Sequence, residues 1–277
     1  MTAREALSAE GRGQGETVRS VSVWNGRLPL RVHAAGAGPA VVFLHGPWGL
    51  VRGPFLDALA RHFTVYAPEH PGTTPGDPDA IQAVDQLWDL VLCYDELLEA
   101  LRLPEVMLVG HSFGAMMACE VAALRPERVK RLALIDPIGL WRDDAPVVNW
   151  MLLGAAEMPA YVFHQPDGHA AKAMFTVPEE PEAAALARTR LTWAMGATGK
   201  FIWPIPDKGL KKRIHRITAP TLLVWCEHDR LVPRAYAKEF GARLRESRLE
   251  VIAGAGHAPH LEQPDATART VQAFLKA

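Results

Sequence analysis

Three stretches of the 277-residue chain hold the residue types of nucleophilic acyl chemistry. The first is Gly110-His111-Ser112-Phe113-Gly114, placed between the β-rich run Val106–Val109 and the apolar, helix-spaced run Phe113–Leu124. A serine hydroxyl is a poor nucleophile, so it must be presented to a base on a tight turn with little bulk nearby. Glycines at both flanking positions let a strand-to-helix turn close around a strained serine. The helix that follows points its first N–H groups toward developing negative charge.

Such a serine needs an imidazole within hydrogen-bond reach and a carboxylate that holds the imidazole's tautomer. Eleven histidines compete for the first role, and position selects among them. His257 lies in Gly254-Ala-Gly-His257-Ala-Pro-His260, directly after the last β-rich run, on a glycine-flanked loop. His260 is the near competitor, at the start of the final helical run. A metal site from His257 and His260 lacks a third ligand in a suitable pattern, so no metal is expected. For the acid, Asp229 follows the run Thr221–Trp225, whereas Asp136, after Leu132–Ile135, is the alternative; His228 reads as a surface loop residue. Along the chain the three follow in the order Ser112, Asp229, His257.

The elements that must position them alternate along the chain. Val18–Trp24 and Leu30–Ala34 flank Asn25-Gly26, a hairpin signal. Ala40–Leu44 is apolar throughout, as befits a strand buried on both faces. Phe63–Ala67, Val106–Val109, Leu132–Ile135, Thr221–Trp225 and Leu249–Ile252 are further strands. Pro54–Arg61, Gln82–Leu101, Phe113–Leu124, Arg234–Leu244 and Asp265–Leu275 carry helical spacing. The pattern implies an α/β fold, a mostly parallel sheet with helices on both faces, entered through an antiparallel hairpin.

Between Asp136 and Pro220 the rhythm breaks into helix-like pieces punctuated by prolines, rich in Trp, Met and Phe. This reads as a helical cap over the C-terminal edge of the sheet. Part of its apolar content is ordinary packing; part is expected to wall a substrate pocket. His45, Trp48, Trp141, Met151, Phe163 and Trp193 are the candidate pocket residues. The basic run Lys208, Lys211, Lys212, Arg213 and Arg216 reads as a solvated face at the end of the cap.

Composition narrows the function classes. A net charge of −1 lacks the basic excess that nucleic acid or an acidic membrane would want. No apolar run has the length of a bilayer span, and the first twenty residues lack the apolar core of a signal peptide. Residues 1–17 read as a flexible leader; its Gly11, Gly13 and Gly15 follow no strand and make no phosphate loop. Cys93, Cys119 and Cys226 sit in apolar stretches without paired spacing, which suggests buried free thiols in the cytoplasm.

With Phe43-Leu44-His45-Gly46, Gly110–Gly114, Asp229-Arg-Leu-Val-Pro233 and Gly256-His257, the chain from residue 18 onward resembles the α/β-hydrolase superfamily. Within it, the resemblance is to the cap-bearing branch of small carboxylesterases and carbon–carbon bond hydrolases. It implies an eight-stranded sheet with a cap after the sixth strand: a core of residues 18–137 and 214–277 and a cap of 138–213. In such relatives the residue after His-Gly donates an N–H to the oxyanion. Here that residue is Pro47, which has none, so Trp48 or Gly49 is expected to join the Phe113 N–H instead. The alternative is a rigid packing turn on a weak enzyme. The expected reaction is hydrolysis of a small or medium-sized carboxylic ester without a cofactor. Cleavage of a carbon–carbon bond in a vinylogous diketone is the alternative, and a catalytically vestigial binding protein is the reading from another class. A small-molecule ester is the expected partner; the sequence leaves oligomeric state open.

Overall fold

The computed structural model describes residues 16–277. Most of the expected leader, with its three glycines, lies outside the described residues. Strand β1 (Thr17–Val23) begins inside the range assigned to that leader. There Thr17 already pairs with Ala34 of β2 (Leu28–Ala35). The hairpin between them turns through Trp24, Asn25 and Gly26, all at positive φ.

The remaining strands are β3 (Ala40–Leu44), β4 (Thr64–Pro68), β5 (Val106–His111), β6 (Val129–Ile135), β7 (Thr221–Cys226) and β8 (Ser247–Ile252). They form an eight-stranded sheet in the order β1-β2-β4-β3-β5-β6-β7-β8. Only the β1–β2 and β2–β4 pairings are antiparallel. The period-two pleat of β3 divides its residues between two cores. Val42 and Leu44 join one that includes Leu90 and Leu97 of α2 (Leu87–Ala100) and Met117 of α3 (Phe113–Leu124). Val41 and Phe43 join the other, with Phe55 of α1 (Pro54–Ala60) among its members.

The helix expected over Gln82–Leu101 is divided. Pro78–Ala83 forms a 3₁₀ turn, and α2 starts only at Leu87. The Asp89 carboxylate accepts the N–H groups of Asp85 (2.9 Å) and Gln86 (3.0 Å), satisfying donors that a helix start leaves free.

Between β6 and β7 the chain forms helical elements and no strand. These include α4 (Met158–Val162), α5 (His169–Phe175) and α6 (Pro181–Ile202), with short 3₁₀ turns around them. In the basic run at the end of this insertion Lys211, Lys212 and Arg216 are exposed, as a solvated face requires, but Arg213 departs from it. Arg213 makes a bidentate pair with Glu120 of α3 at 2.7 Å for both bonds, and Glu120 is fully buried. Arg216 donates to the carbonyl of Ala123 (2.8 Å). A buried carboxylate in α3 requires a cation, and the guanidinium supplies it while fastening the insertion to the core. The chain ends in α7 (Ala235–Arg243), α8 (Pro259–Glu262) and α9 (Pro264–Lys276). No described helix is long and apolar enough to cross a membrane, and Cys93, Cys119 and Cys226 are free and buried.

Candidate active site

Ser112 joins β5 to α3 in the left-handed region, at φ 53°. Such a turn closes only where its neighbours have no side chain. A Cβ on Gly114 would collide with the carbonyl oxygens of Leu44 and His45, and one on Gly110 with the backbone of Gly114 and Ala115. The turn presents Ser112 Oγ to His257 Nε2 at 2.8 Å. His257 Nδ1 lies 2.8 Å from Asp229 Oδ2. Because the carboxylate only accepts, Nδ1 carries the proton and Nε2 is left to accept from the serine hydroxyl. The other carboxylate oxygen of Asp229 accepts the N–H groups of Leu231 (2.8 Å) and Val232 (2.9 Å), which fixes its rotamer.

The competitors fall elsewhere. Asp136 is fully buried behind Asp229, where it accepts the N–H of Cys226 at 2.9 Å. A ligand atom of Asp136 lies within 4.8 Å of ones on Asp229 and His257. His257 Nδ1 already donates its proton to Asp229, so in this arrangement it offers no lone pair to a metal. His260 lies in the short α8, its ring 4.4 Å from that of His111. His228 stacks on His164 of the insertion at 3.9 Å.

Several supporting groups were given no such role by the sequence motifs. His111 Nε2 donates to the carbonyl of His257 (2.7 Å). Glu262 accepts the N–H of Gly256 (2.8 Å), next to the base, and those of His164 (3.0 Å) and Gln165 (2.7 Å) from the insertion. One carboxylate thus fastens the histidine loop to the helices above it. His45, expected to face a pocket, instead holds its own loop. Its Nδ1 donates to the carbonyl of Gly46 (2.7 Å) and its Nε2 accepts the N–H of His70 (3.0 Å). His70 Nε2 donates back to the His45 carbonyl (2.8 Å), and its Nδ1 accepts from the Tyr94 hydroxyl. A polar residue at the C-terminal end of β4 was the available clue to His70. Loss of hydration holds His45 and His111 well below the ordinary imidazole range, His70 down at about 4 and His260 at about 3.

The loop His45–Gly49 brings the Trp48 ring 5.9 Å from His257 and 6.4 Å from Trp150. The backbone N–H groups of Phe113, Trp48 and Gly49 have no partner among the described residues. Phe201 of α6 stacks on Phe113 at 6.2 Å. The other expected wall residues lie in different surroundings. Trp193 is 44% exposed on α6, on a face the core does not cover. Trp141 and Met151 meet Trp150, Ile202 and Pro204 around a cavity of about 40 Å³. Phe163 packs edge-on against Phe175 at 5.9 Å, and its backbone closes on Gly256 beside the base, where a Cβ would collide with it. Helical periodicity gives the spacing of such residues but not which side the core will cover.

This sheet order, with a strained serine between β5 and α3, defines a class, and the profile of the Alpha/beta hydrolase family matches residues 41–270. The chain belongs to the α/β-hydrolase family. It is 29% identical over 258 residues to an sn-1-specific diacylglycerol lipase of Mus musculus, covering 86% of this chain and 81% of that one. It is 24% identical over 247 residues to a pimeloyl-[acyl-carrier protein] methyl ester esterase of Serratia marcescens, covering 86% and 94%. A meta-cleavage product hydrolase from Pseudomonas fluorescens shares the fold, with TM-score 0.70, 19% identity and coverage of 93% and 97%.

Proposed function

We propose that this α/β hydrolase cleaves carboxylic esters of small or medium size through an acyl-enzyme on Ser112. The reading is carried by the line from Ser112 Oγ through His257 to Asp229, with 2.8 Å at both links. Ser112 Oγ attacks the ester carbonyl as His257 Nε2 takes its proton. The Phe113 N–H and the Trp48 N–H receive the oxyanion. The tetrahedral intermediate then expels the alkoxide, protonated by His257, and leaves the acyl group on Ser112. Water, deprotonated by His257, attacks the acyl carbon and releases the acid. Asp229 orients the ring and stabilises the imidazolium in both halves. The diacylglycerol lipase and the methyl ester esterase among the relatives support ester chemistry.

Ser112 and His257 expose no surface, so the helical insertion acts as a cap that must open for substrate. Trp48, Trp150 and the Phe113–Phe201 pair make the surroundings apolar, which suits an acyl chain or aryl group over a charged one. The three buried thiols suit a reducing compartment, and we place the protein in the cytoplasm.

A panel of aryl and alkyl esters, assayed beside a vinylogous diketone, tests the reading. Turnover of esters supports it, whereas cleavage of the diketone alone moves the chain to carbon–carbon chemistry, to which the meta-cleavage neighbour points. Pro47→Gly tests the oxyanion loop by the sign of its effect. The proline ring fixes the bend that presents the Trp48 N–H, so the substitution is expected to lower ester turnover. A rise of about tenfold would mean that Pro47 is a defect and that glycine restores the missing donor.

A further inference from the structure

Asp136 is unexplained by the acyl mechanism. It is fully buried at the C-terminal end of β6 and adopts φ 43°, a conformation that few side chains occupy. Its Oδ1 accepts the Cys226 N–H at 2.9 Å, its Oδ2 lies 2.8 Å from Cys226 Sγ, and one of its oxygens lies within 4.8 Å of a carboxylate oxygen of Asp229. Neither carboxyl group forms an ion pair with a described Lys or Arg. The titratable groups around the pair are Cys226 and His257, with Glu262 farther off.

Two carboxylates this close in a dry interior do not both ionise. Their hydrogen bonds say which one keeps the proton. Asp229 accepts two backbone N–H groups and the imidazole N–H, all of which favour the anion. Asp136 accepts one backbone N–H and faces a weak thiol donor. We infer that Asp136 is a positioning residue that stays a neutral carboxylic acid and donates its O–H to the Asp229 carboxylate, locking the group that orients His257. Burial, and then the charge on Asp229, hold the Asp136 carboxyl well above the usual carboxylate range, in agreement with this geometry.

The donated hydrogen bond does two things. It limits the rotation of Asp229, and it draws off part of the negative charge that His257 would otherwise see. Without it Asp229 becomes more basic toward the ring, so imidazolium persists to higher pH and the base is less available near neutrality. The inference rests on the reading of Ser112, Asp229 and His257 as the reacting triad.

The experiment compares Asp136→Asn, whose amide N–H can donate to Asp229, with Asp136→Leu, which has similar width and no donor. Asparagine should hold kcat within about threefold of the parent. Leucine should lower kcat by roughly 10- to 100-fold with KM little moved, and should shift the acid limb of the kcat/KM profile to higher pH. An infrared difference between the parent and Asp136→Asn at neutral pH should show the C=O stretch of a protonated carboxyl. That band needs no turnover, so it decides the protonation state even if Ser112 proves not to be the nucleophile or the leucine variant does not fold. A carboxylate band instead, equal losses in both variants, or a leucine variant with unchanged kcat and pH profile would each overturn the inference.

Discussion

Ser112→Ala is expected to leave the fold unchanged and to reduce ester turnover by about 10⁴-fold or more. The hydroxyl makes one side-chain hydrogen bond, to His257, and no other described residue offers a nucleophile in its place. Alanine keeps the same Cβ at φ 53°, so the strain of the turn is not relieved and the backbone has no reason to move. The cost in stability is that of leaving His257 Nε2 without its donor, about 1–3 kcal/mol. The fall in rate is far larger than the loss of a single contact, because nucleophile, base and acid act as a unit. Turnover of an aryl ester and labelling by a fluorophosphonate probe should vanish together, while the melting temperature shifts by only a few degrees. A variant that keeps a comparable rate would show that the serine is not the nucleophile. A parent protein that the probe does not label would point instead to a hydrolase-shaped binding protein.

The sheet was legible because its strands are short apolar runs set between amphipathic helices. Ala40–Leu44 has no polar side to offer, so it can only be a strand covered on both faces. Ser112, Asp229 and His257 were legible together because all three follow strands whose C-terminal ends lie at one sheet edge. The structure brings those side chains within hydrogen-bond reach of one another. What could not be read was direction. Trp150 and Trp193 both lie in the helical insertion, yet the first is buried near Trp48 and the second is largely exposed. Arg213 looked like one more solvated charge, and only the fold reveals that Glu120, far away in sequence, waits for it at the buried side of α3. Glu262 bridges the base loop and the insertion by accepting backbone N–H groups, and backbone donors leave no trace in residue type. The start of α2 was misplaced for a similar reason. Asp89 can cap a helix only if the chain turns at Asp85 and Gln86, and apolar spacing does not encode that turn.

The buried histidines make a second large effect, acid instability. His45, His70, His111 and His260 are fully or almost fully buried, and the bonds of His45 and His70 fix those two as neutral rings. Each has its folded pKa below the ordinary value of 6.5. The unfolded chain therefore takes up protons that the folded chain refuses. Stability at each site is intact above about pH 6.5 and falls by about 1.4 kcal/mol per pH unit below it. The fall ends only at the folded value, about 4 for His70 and about 3 for His260. At pH 5 His70 and His260 have each lost roughly 2 kcal/mol, and His45 and His111 act in the same direction. Asp136 acts in the opposite sense, because its raised folded pKa lets the native state hold a proton that the unfolded state has lost. The loss at His70 and His260 together, roughly 4 kcal/mol, is a large part of the stability of an ordinary domain, about 5–15 kcal/mol. Urea unfolding followed by circular dichroism should show a far lower midpoint at pH 5 than at pH 7.5. Equal midpoints would mean that these rings take up protons inside the folded protein. His260→Phe isolates one site. The ring lies 6.1 Å from Phe43 and 5.9 Å from Phe55, and its Nδ1 has no partner to lose. The phenylalanine variant should match the parent at pH 7.5 and exceed it at pH 5 by roughly 2 kcal/mol, since one refused proton has been removed from the unfolding equilibrium.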